Sequence, residues 1–318
     1  MSKRTLILGI DGGGSKTAVR IAVLENEGNI RVVGEGHSGP SNVRAVGQAH
    51  AEINLNVAVD AAHGMAGTAK EAIDYAVLGL AGSSSPDVKT FIESWARRRA
   101  LATTVDIVHD ADPVLAVGAP DGNGIALIVG TGSAAIGRGR DGQRLVTGGW
   151  GHWFGDTGSG YDLGRRALAA VADAVDGVGP ETLLVERVLK RLHTDNPREI
   201  LKQLGRNADV SREIASVAPI LLAAADDGDA VANEIVSAAA AGAAELVRAT
   251  LDKLGQERDV PLAIAGGVVC SSTLYRETLL AMLHAQGITP KSVTVVREPV
   301  EGCLLMARER LLAAKIAS

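Results

Sequence analysis

The 318 residues are 46% hydrophobic and 22% charged, with only 3% aromatic residues and a net charge of −5. That length suits two domains of roughly 150 residues each, with cores built from Ala, Val, Leu and Ile. The acidic balance argues against a nucleic-acid partner, whose phosphates need a basic surface, but leaves anionic substrates open, because local cations and helix ends can hold them. Cys270 and Cys303, the only cysteines, form neither a Cys-x-x-Cys pair nor a Cys/His ligand pattern. That argues against structural zinc and fits a reducing cytoplasm. The apolar stretch after Lys3 and Arg4 is too short for the core of a secretory signal. No stretch is expected to be long enough to cross a bilayer, and the alanine-rich segment 236–244 reads as a close-packed helix.

In chain order, Thr5–Ile10 is a short apolar strand. Lys16–Leu24 alternates apolar and polar residues, and Ile30–Gly36 is a third β-like segment. Glu25-Asn26-Glu27-Gly28-Asn29 is the turn between the last two. Three short strands with tight links predict an antiparallel meander. Apolar residues at helical spacing follow over 43–62. Tyr75–Leu80 is a buried-type strand ending in Gly79-Leu80-Ala81-Gly82. Pro86–Arg99 has Pro in its first turn and Arg97-Arg98-Arg99 at its end, both helix signals. Thr104–Val108 is the next strand, and His109-Asp110-Ala111-Asp112 follows it.

Then the pattern restarts. Gly124–Gly130 is a strand ending in Gly130-Thr131-Gly132-Ser133. Ala134–Gly139 is a second strand, Asp141-Gly142 a turn and Arg144–Gly149 a third strand. Identity with the opening is weak, but the order is the same. A mostly helical block covers 158–255. Pro261–Val269 reads as strand and double-glycine turn, 272–286 as a helix, Ser292–Arg297 as a strand, and a last helix starts at about Pro299. Two such copies imply two α/β domains facing each other, the helical insertion belonging to the second. In such sheets ligands gather at the ends of strands.

Five segments carry candidate chemistry. In Asp11-Gly12-Gly13-Gly14-Ser15-Lys16-Thr17, glycines let backbone approach a ligand, and successive N–H groups in such a turn make an anion nest. An Asp beside a phosphate makes sense with Mg²⁺ between them, usually through water. The spacing is not that of a Walker A loop, and a ligandless hairpin turn is the alternative. Gly130-Thr131-Gly132-Ser133 repeats the device, so that two hairpins could grip one polyphosphate. Asp110 stands just past a strand and is a candidate general base, or else the cap of the next helix, a role that Asp112 before Pro113 could fill instead. His109 beside it reads as structural. Residues 148–164 interleave glycines with Trp150, His152, Trp153, Phe154 and Asp156. Such a loop is costly to order, and Asp156 could bond ligand hydroxyls or cap the helix starting near Ser159. Gly266 and Gly267 would let a flat base lie on the backbone, or would simply turn a strand into a helix.

Together and in this order, these segments resemble the actin-like ATPase domain of sugar kinases, heat-shock proteins and actin. More narrowly they resemble the BadF/BadG/BcrA/BcrD-type ATPases, in the N-acetylglucosamine and glucosamine kinase branch. The residues that carry the likeness are Ile10 to Thr17, Pro40-Ser41-Asn42, Asp110-Ala111, Gly130 to Ser133, Gly148 to His152 with Gly155-Asp156, and Gly266-Gly267. The resemblance implies an α/β fold of two actin-like (ribonuclease H-like) domains with a central cleft, the second with a helical insertion. It implies an N-terminal domain over 1–112 and a C-terminal domain over 113–298, with the final helix, about 299–318, returning to the first. The cofactors implied are ATP and Mg²⁺. Asp11, Gly12, Gly13, Gly14, Ser15, Lys16 and Thr17 would form the first phosphate motif, with Asp11 reaching the metal through water. Gly130, Thr131 and Gly132 would form the second, and Gly266 and Gly267 the adenosine motif. Asp110 would be the catalytic base. Asn42, Ser133, Gly149, Trp150 and Asp156 would bind the sugar. Where some members carry an Asn after the second phosphate motif, this chain has Ala134-Ala135, which bears on the N-acetyl side of the pocket.

The activity implied is ATP-dependent phosphorylation of the 6-hydroxyl of N-acetylglucosamine or glucosamine, with domain closure assembling the site. A cytoplasmic homodimer with no nucleic-acid or membrane partner is expected. The alternatives are an N-acetylmuramic acid kinase, a BadF-type activator of a radical dehydratase and a sugar-sensing regulator. The activator would need cysteines for an iron–sulfur cluster, and Cys270 and Cys303 are poorly placed for one. The regulator would need a DNA-binding domain.

Overall fold

The computed structural model describes residues 4–25, 28–68, 71–204 and 209–317. Asn26 and Glu27 of the expected turn, and Lys3, lie outside them. The chain divides into two compact units, one comprising Met1–Pro120 with Glu298–Ser318, the other Asp121–Arg297. The boundary expected after 112 falls inside a helix, Ala111–Gly118.

The first unit has a five-stranded sheet in the order β3-β2-β1-β4-β5. Its strands are β1 (Thr5–Gly12), β2 (Thr17–Leu24), β3 (Ile30–Ser38), β4 (Tyr75–Leu80) and β5 (Thr104–His109). The first three form the antiparallel meander, and β4 and β5 add in parallel. Parallel neighbours need crossovers, supplied by α1 (Val43–Ala66) and α2 (Pro86–Arg98), and α3 (Ala111–Gly118) follows β5. Side chains alternate along β1. Leu6, Leu8 and Ile10 enter a core with Leu55, Val59, Ile92 and Trp95 from α1 and α2. Ile7 points the other way, to Cys303, Leu304 and Ala307. The last three belong to α12 (Val300–Ala317), so the final helix covers the second face.

Two local expectations change for physical reasons. Residues 16–24 read as alternating apolar and polar, yet β2 is buried on both faces, because helices cover the sheet on either side. Its one long polar side chain, Arg20, ion-pairs with Glu35 at 2.8 Å and Glu301 at 3.0 Å. The first helix runs on to Ala66 and breaks at Gly47, whose φ of 76° is not helical.

The second unit repeats the plan, with a five-stranded sheet in the order β10-β9-β6-β7-β8. Here β6 (Gly124–Val129), β7 (Ser133–Arg138) and β8 (Arg144–Gly148) form the meander, and β9 (Leu262–Ala265) and β10 (Val293–Val296) add in parallel. The weak internal repeat is therefore a repeat of topology, β1 to β5 corresponding to β6 to β10. Between β8 and β9 lie α4 (Gly160–Asp176), α5 (Leu184–Arg191), α6 (Glu199–Leu204), α7 (Val210–Ala215), α8 (Ala218–Asp226) and α9 (Ala230–Leu254), where the first unit has only α1. The short α10 (Gly267–Ser271) and α11 (Thr273–Ala285) join β9 to β10.

By length and composition α9 could cross a bilayer, so the expectation of no such stretch does not hold. Its Ala232, Val236, Ala239, Ala240, Ala243 and Val247 enter the core of the second unit with Ile125, Leu127 and Ala135 of the sheet. The small side chains let this helix lie close to the sheet, which explains its apolar composition.

The base of α3 depends on a close helix contact. A Cβ placed on Gly302 of α12 would stand 1.9 Å from the carbonyl oxygen of Pro113. Gly302→Ala is expected to push α12 and α3 apart at a cost of about 1–3 kcal/mol, the usual penalty for overpacking. Thermal melting reads this directly, and an unchanged melting temperature would contradict it.

Candidate active site

In the first unit, β1 carries Asp11 and Gly12 to its end, and the hairpin turns over 13–16. The turn is closed by Gly13 N–H donating to Lys16 O at 3.1 Å. Ser41 and Asn42 both donate their N–H groups to Gly13 O at 3.2 Å, which fastens the segment before α1 to the hairpin. Beneath it the buried Thr17 hydroxyl donates to Gly39 O at 2.7 Å and sits 2.8 Å from Ser41 Oγ. Gly12 is needed for space, since a Cβ there would meet Ser41 Oγ at 2.3 Å. At Gly13 and Gly14 a Cβ would meet nothing within 4 Å and φ is not positive. Neither packing nor backbone conformation demands glycine at those two positions, and the missing side chains leave the backbone open to close approach.

The charges of this unit gather at the same strand ends. Burial first, and then the negative charge of Asp110, push the Asp11 carboxyl up to about 7. Lys16 pulls it down and Glu298 adds to the rise. Lys16 Nζ stands 3.6 Å from Glu298 Oε1, a partly exposed pair. Asp110 occupies the N-cap position of α3, yet its side chain makes no capping bond. Asp112 instead accepts from His109 N–H at 3.0 Å, and Asp110 Oδ1 lies 2.7 Å from His109 Nδ1. Asp110 therefore does not serve as the cap, and its carboxylate stays beside Asp11 in the electrostatics of the unit.

In the second unit, Gly130 to Gly132 link β6 to β7. Gly130 N–H donates to Gly132 O at 2.9 Å, and the start of α4 is tied to the turn by Gly160 N–H on Gly130 O and Tyr161 N–H on Thr131 O, at 2.7 and 3.1 Å. Gly266 packs against the same strand end. It has a φ of 105°, and a Cβ there would lie 2.4 Å from Val129 O, so both conformation and space require glycine. Gly267 has open space around it. The two motifs that are far apart in sequence thus share one corner.

Asp156 also reaches this turn, accepting from Ser133 N–H at 3.1 Å. Burial raises its carboxyl above the usual range, against the opposing pull of the Ser133 N–H and of His152. Its φ of 59° is unusual for a side-chain-bearing residue and stores strain of the kind that collects at functional positions. Ser159, not Asp156, caps α4 through Asp162 N–H. Gly149 N–H donates to Ser133 O at 3.0 Å. Beside it Trp150 is 75% exposed, with Trp153 and Phe154 exposed too.

Residues 8–307 match the BadF/BadG/BcrA/BcrD ATPase family. The chain belongs to that family. It is 30% identical to the N-acetylmuramic acid/N-acetylglucosamine kinase of Clostridium acetobutylicum over 95% of this chain and 98% of the relative. It is 27% identical to the N-acetyl-D-glucosamine kinase of Dictyostelium discoideum, over 96% and 98% of the two chains. A provisionally named N-acetylglucosamine kinase from Porphyromonas gingivalis shares the fold with a TM-score of 0.76 and 21% identity, covering 96% of this chain and 99% of that one.

Within this BadF-type ATPase, two expected sugar-binding side chains are already engaged. Asn42 Oδ1 accepts from Arg44 N–H at 3.0 Å and caps α1, leaving its amide as the group for a ligand. The Ser133 hydroxyl is buried and donates inward to Thr157 O at 2.8 Å, so it braces the loop rather than offering a proton to a sugar. Three residues escaped the sequence reading. Glu298 meets Lys16 from the far end of the chain, Tyr275 donates to Gly158 O at 2.7 Å and anchors the aromatic loop, and Asp162 accepts from Gly158 N–H at 3.0 Å. For Glu298 the return of the last helix was the only available signal.

The raised Asp11 carboxyl has a consequence for stability. Well below the ordinary value of 3.8 both folded and unfolded chains hold the proton. From that value to about 7 only the folded chain keeps it, so this group's contribution falls as pH rises through that window. Asp11→Asn is expected to stabilise the metal-free protein at pH 8 by on the order of 2–4 kcal/mol, at about 1.4 kcal/mol per pKa unit, with the gain vanishing well below pH 3.8. Denaturant unfolding in a chelator checks this, and a destabilised variant at pH 8 would contradict it.

Proposed function

We propose that this chain is an ATP-dependent amino-sugar kinase that phosphorylates the 6-hydroxyl of N-acetylglucosamine or glucosamine. The observation that carries it is Asp110, a carboxylate at a cap position that caps nothing and that acts electrostatically on Asp11. The names of the relatives support the same substrate class. The glycine hairpins over 12–17 and 130–132 would receive the ATP phosphates, and Gly266 and Gly267 the adenosine. Asp156, the amide of Asn42 and the loop at Gly149 and Trp150 would hold the sugar, with Ser133 as their brace.

Asp11 fits a hard divalent cation. Its carboxyl is burdened by burial and by a second carboxylate, and a cation relieves both. Among the described residues no group of three or more His, Cys, Asp or Glu forms a metal cage, so Mg²⁺ here would rely on the nucleotide's phosphates and water, its usual habit. Bound there, Mg²⁺ would neutralise charge on the phosphates. Asp110 takes the proton of the sugar hydroxyl as that oxygen bonds to the γ-phosphorus. The bond from phosphorus to the bridging oxygen of ADP breaks, and the proton later leaves Asp110 for solvent. Such a transfer depends on positioning and charge neutralisation.

The Clostridium relative's name favours a second, wider specificity that includes N-acetylmuramic acid. The dehydratase-activator alternative is disfavoured by Cys303, which is fully enclosed with Sγ 3.2 Å from Ile10 O and whose thiol burial pushes up, against the thiolate a cluster needs. Both cysteines are free, in keeping with a cytoplasmic enzyme, which we propose acts as a homodimer.

A coupled ADP-release assay with Mg-ATP tests the proposal against glucosamine, N-acetylglucosamine, N-acetylmannosamine, N-acetylmuramate and glucose. Turnover with an amino sugar is expected, and turnover with none of them would overturn it. Asp110→Asn should lower kcat by roughly 10²–10⁴ while sugar binding survives. Near-normal turnover in that variant would remove Asp110 from the base role.

A further inference from the structure

We propose that His109 is the positioning residue for Asp110, fixing which carboxylate oxygen faces the sugar hydroxyl. The inference rests on the kinase reading above. His109 Nδ1 lies 2.7 Å from Asp110 Oδ1, and the imidazole is held by a rigid mount. His109 is the last residue of β5, in register with Leu80 of β4. Its own N–H is taken by Asp112 at 3.0 Å, and the preceding carbonyl, of Val108, accepts from Ser83 at 2.9 Å. His109 and Asp110 side chains are 16% and 23% exposed, so water competes poorly for their contact.

The geometry selects a tautomer. Ala111 N–H also points at Nδ1, at 3.3 Å, and could donate only to a bare nitrogen. Asp110 as a carboxylate can only accept. The two contacts exclude each other, and the shorter, charge-assisted one prevails while Asp110 is ionised. His109 then carries its proton on Nδ1 and donates to Oδ1. That bond occupies one oxygen and leaves Oδ2 to receive the sugar's proton. Once Asp110 holds that proton its charge is lost and the bond weakens.

Without the bond, Asp110 can swing about its side-chain torsions, and misplacement of a base by about 1 Å can cost up to about 100-fold in rate. His109→Ala is expected to lower kcat about 10–100-fold while KM for ATP and sugar changes little. Asn can place an amide N–H where Nδ1 stands, so His109→Asn should recover most of the loss. Nitrogen NMR of the imidazole gives a readout apart from activity, with Nδ1–H in the wild type and a shift toward Nε2–H in Asp110→Asn. Wild-type turnover of an amino sugar together with unchanged kcat in His109→Ala would overturn the inference and leave the kinase reading intact. So would an Nε2–H tautomer in the wild type. Equal losses in the Ala and Asn variants would also overturn it.

Discussion

The ionised Asp11 carboxylate is expensive to keep where it is, and the functional reading turns on that cost. Burial and the neighbouring charge of Asp110 both push its carboxyl up to about 7. Lys16, the cation that pulls it down, only partly offsets this, because Glu298 faces it at 3.6 Å. A residue kept at such expense is characteristic of sites whose charge is completed by a ligand. Under the proposed function a phosphate chain carrying a divalent ion would supply the missing charge and would use the bare backbone at Gly13 and Gly14, where nothing in the fold itself requires glycine.

The same economy recurs in the second unit in a different form. There strain replaces charge: Asp156 adopts a positive φ so that its carboxylate can cap the Ser133 N–H and stay raised by burial. Gly266 is pressed against the end of β6 at a distance no side chain could tolerate. The duplicated sheet order places each hairpin at the end of a central strand, and the long helical insertion supplies α4 and α9 to brace the second one.

Much of this was legible in the residues. The glycine turns, the restarted meander and β4 over Tyr75–Leu80 could be read because punctuation by glycine and short apolar runs is a local signal. So could the return of the last helix, through the family likeness, whereas the cap of α4 is Ser159 and not the Asp156 the sequence offered. What could not be read was which partner each polar side chain takes. Nothing local tells that Ser133 turns inward to Thr157, that Asn42 spends its oxygen on α1, or that Glu298 meets Lys16 across the length of the chain. The burial of β2 on both faces was hidden for the same reason, since burial depends on what the rest of the chain lays over the strand.

His109 shows the limit most clearly. As a lone histidine before an aspartate it reads as structural, and only the fold brings its ring nitrogen to the carboxylate.

The central claim is that the charge burden at Asp11 is answered by a nucleotide-borne divalent ion. Calorimetric titration of ADP into the wild type and Asp11→Asn, with and without Mg²⁺, tests it most directly. The account predicts that Mg²⁺ strengthens binding in the wild type and that this gain is largely lost in the variant. An equal gain in both proteins would contradict it.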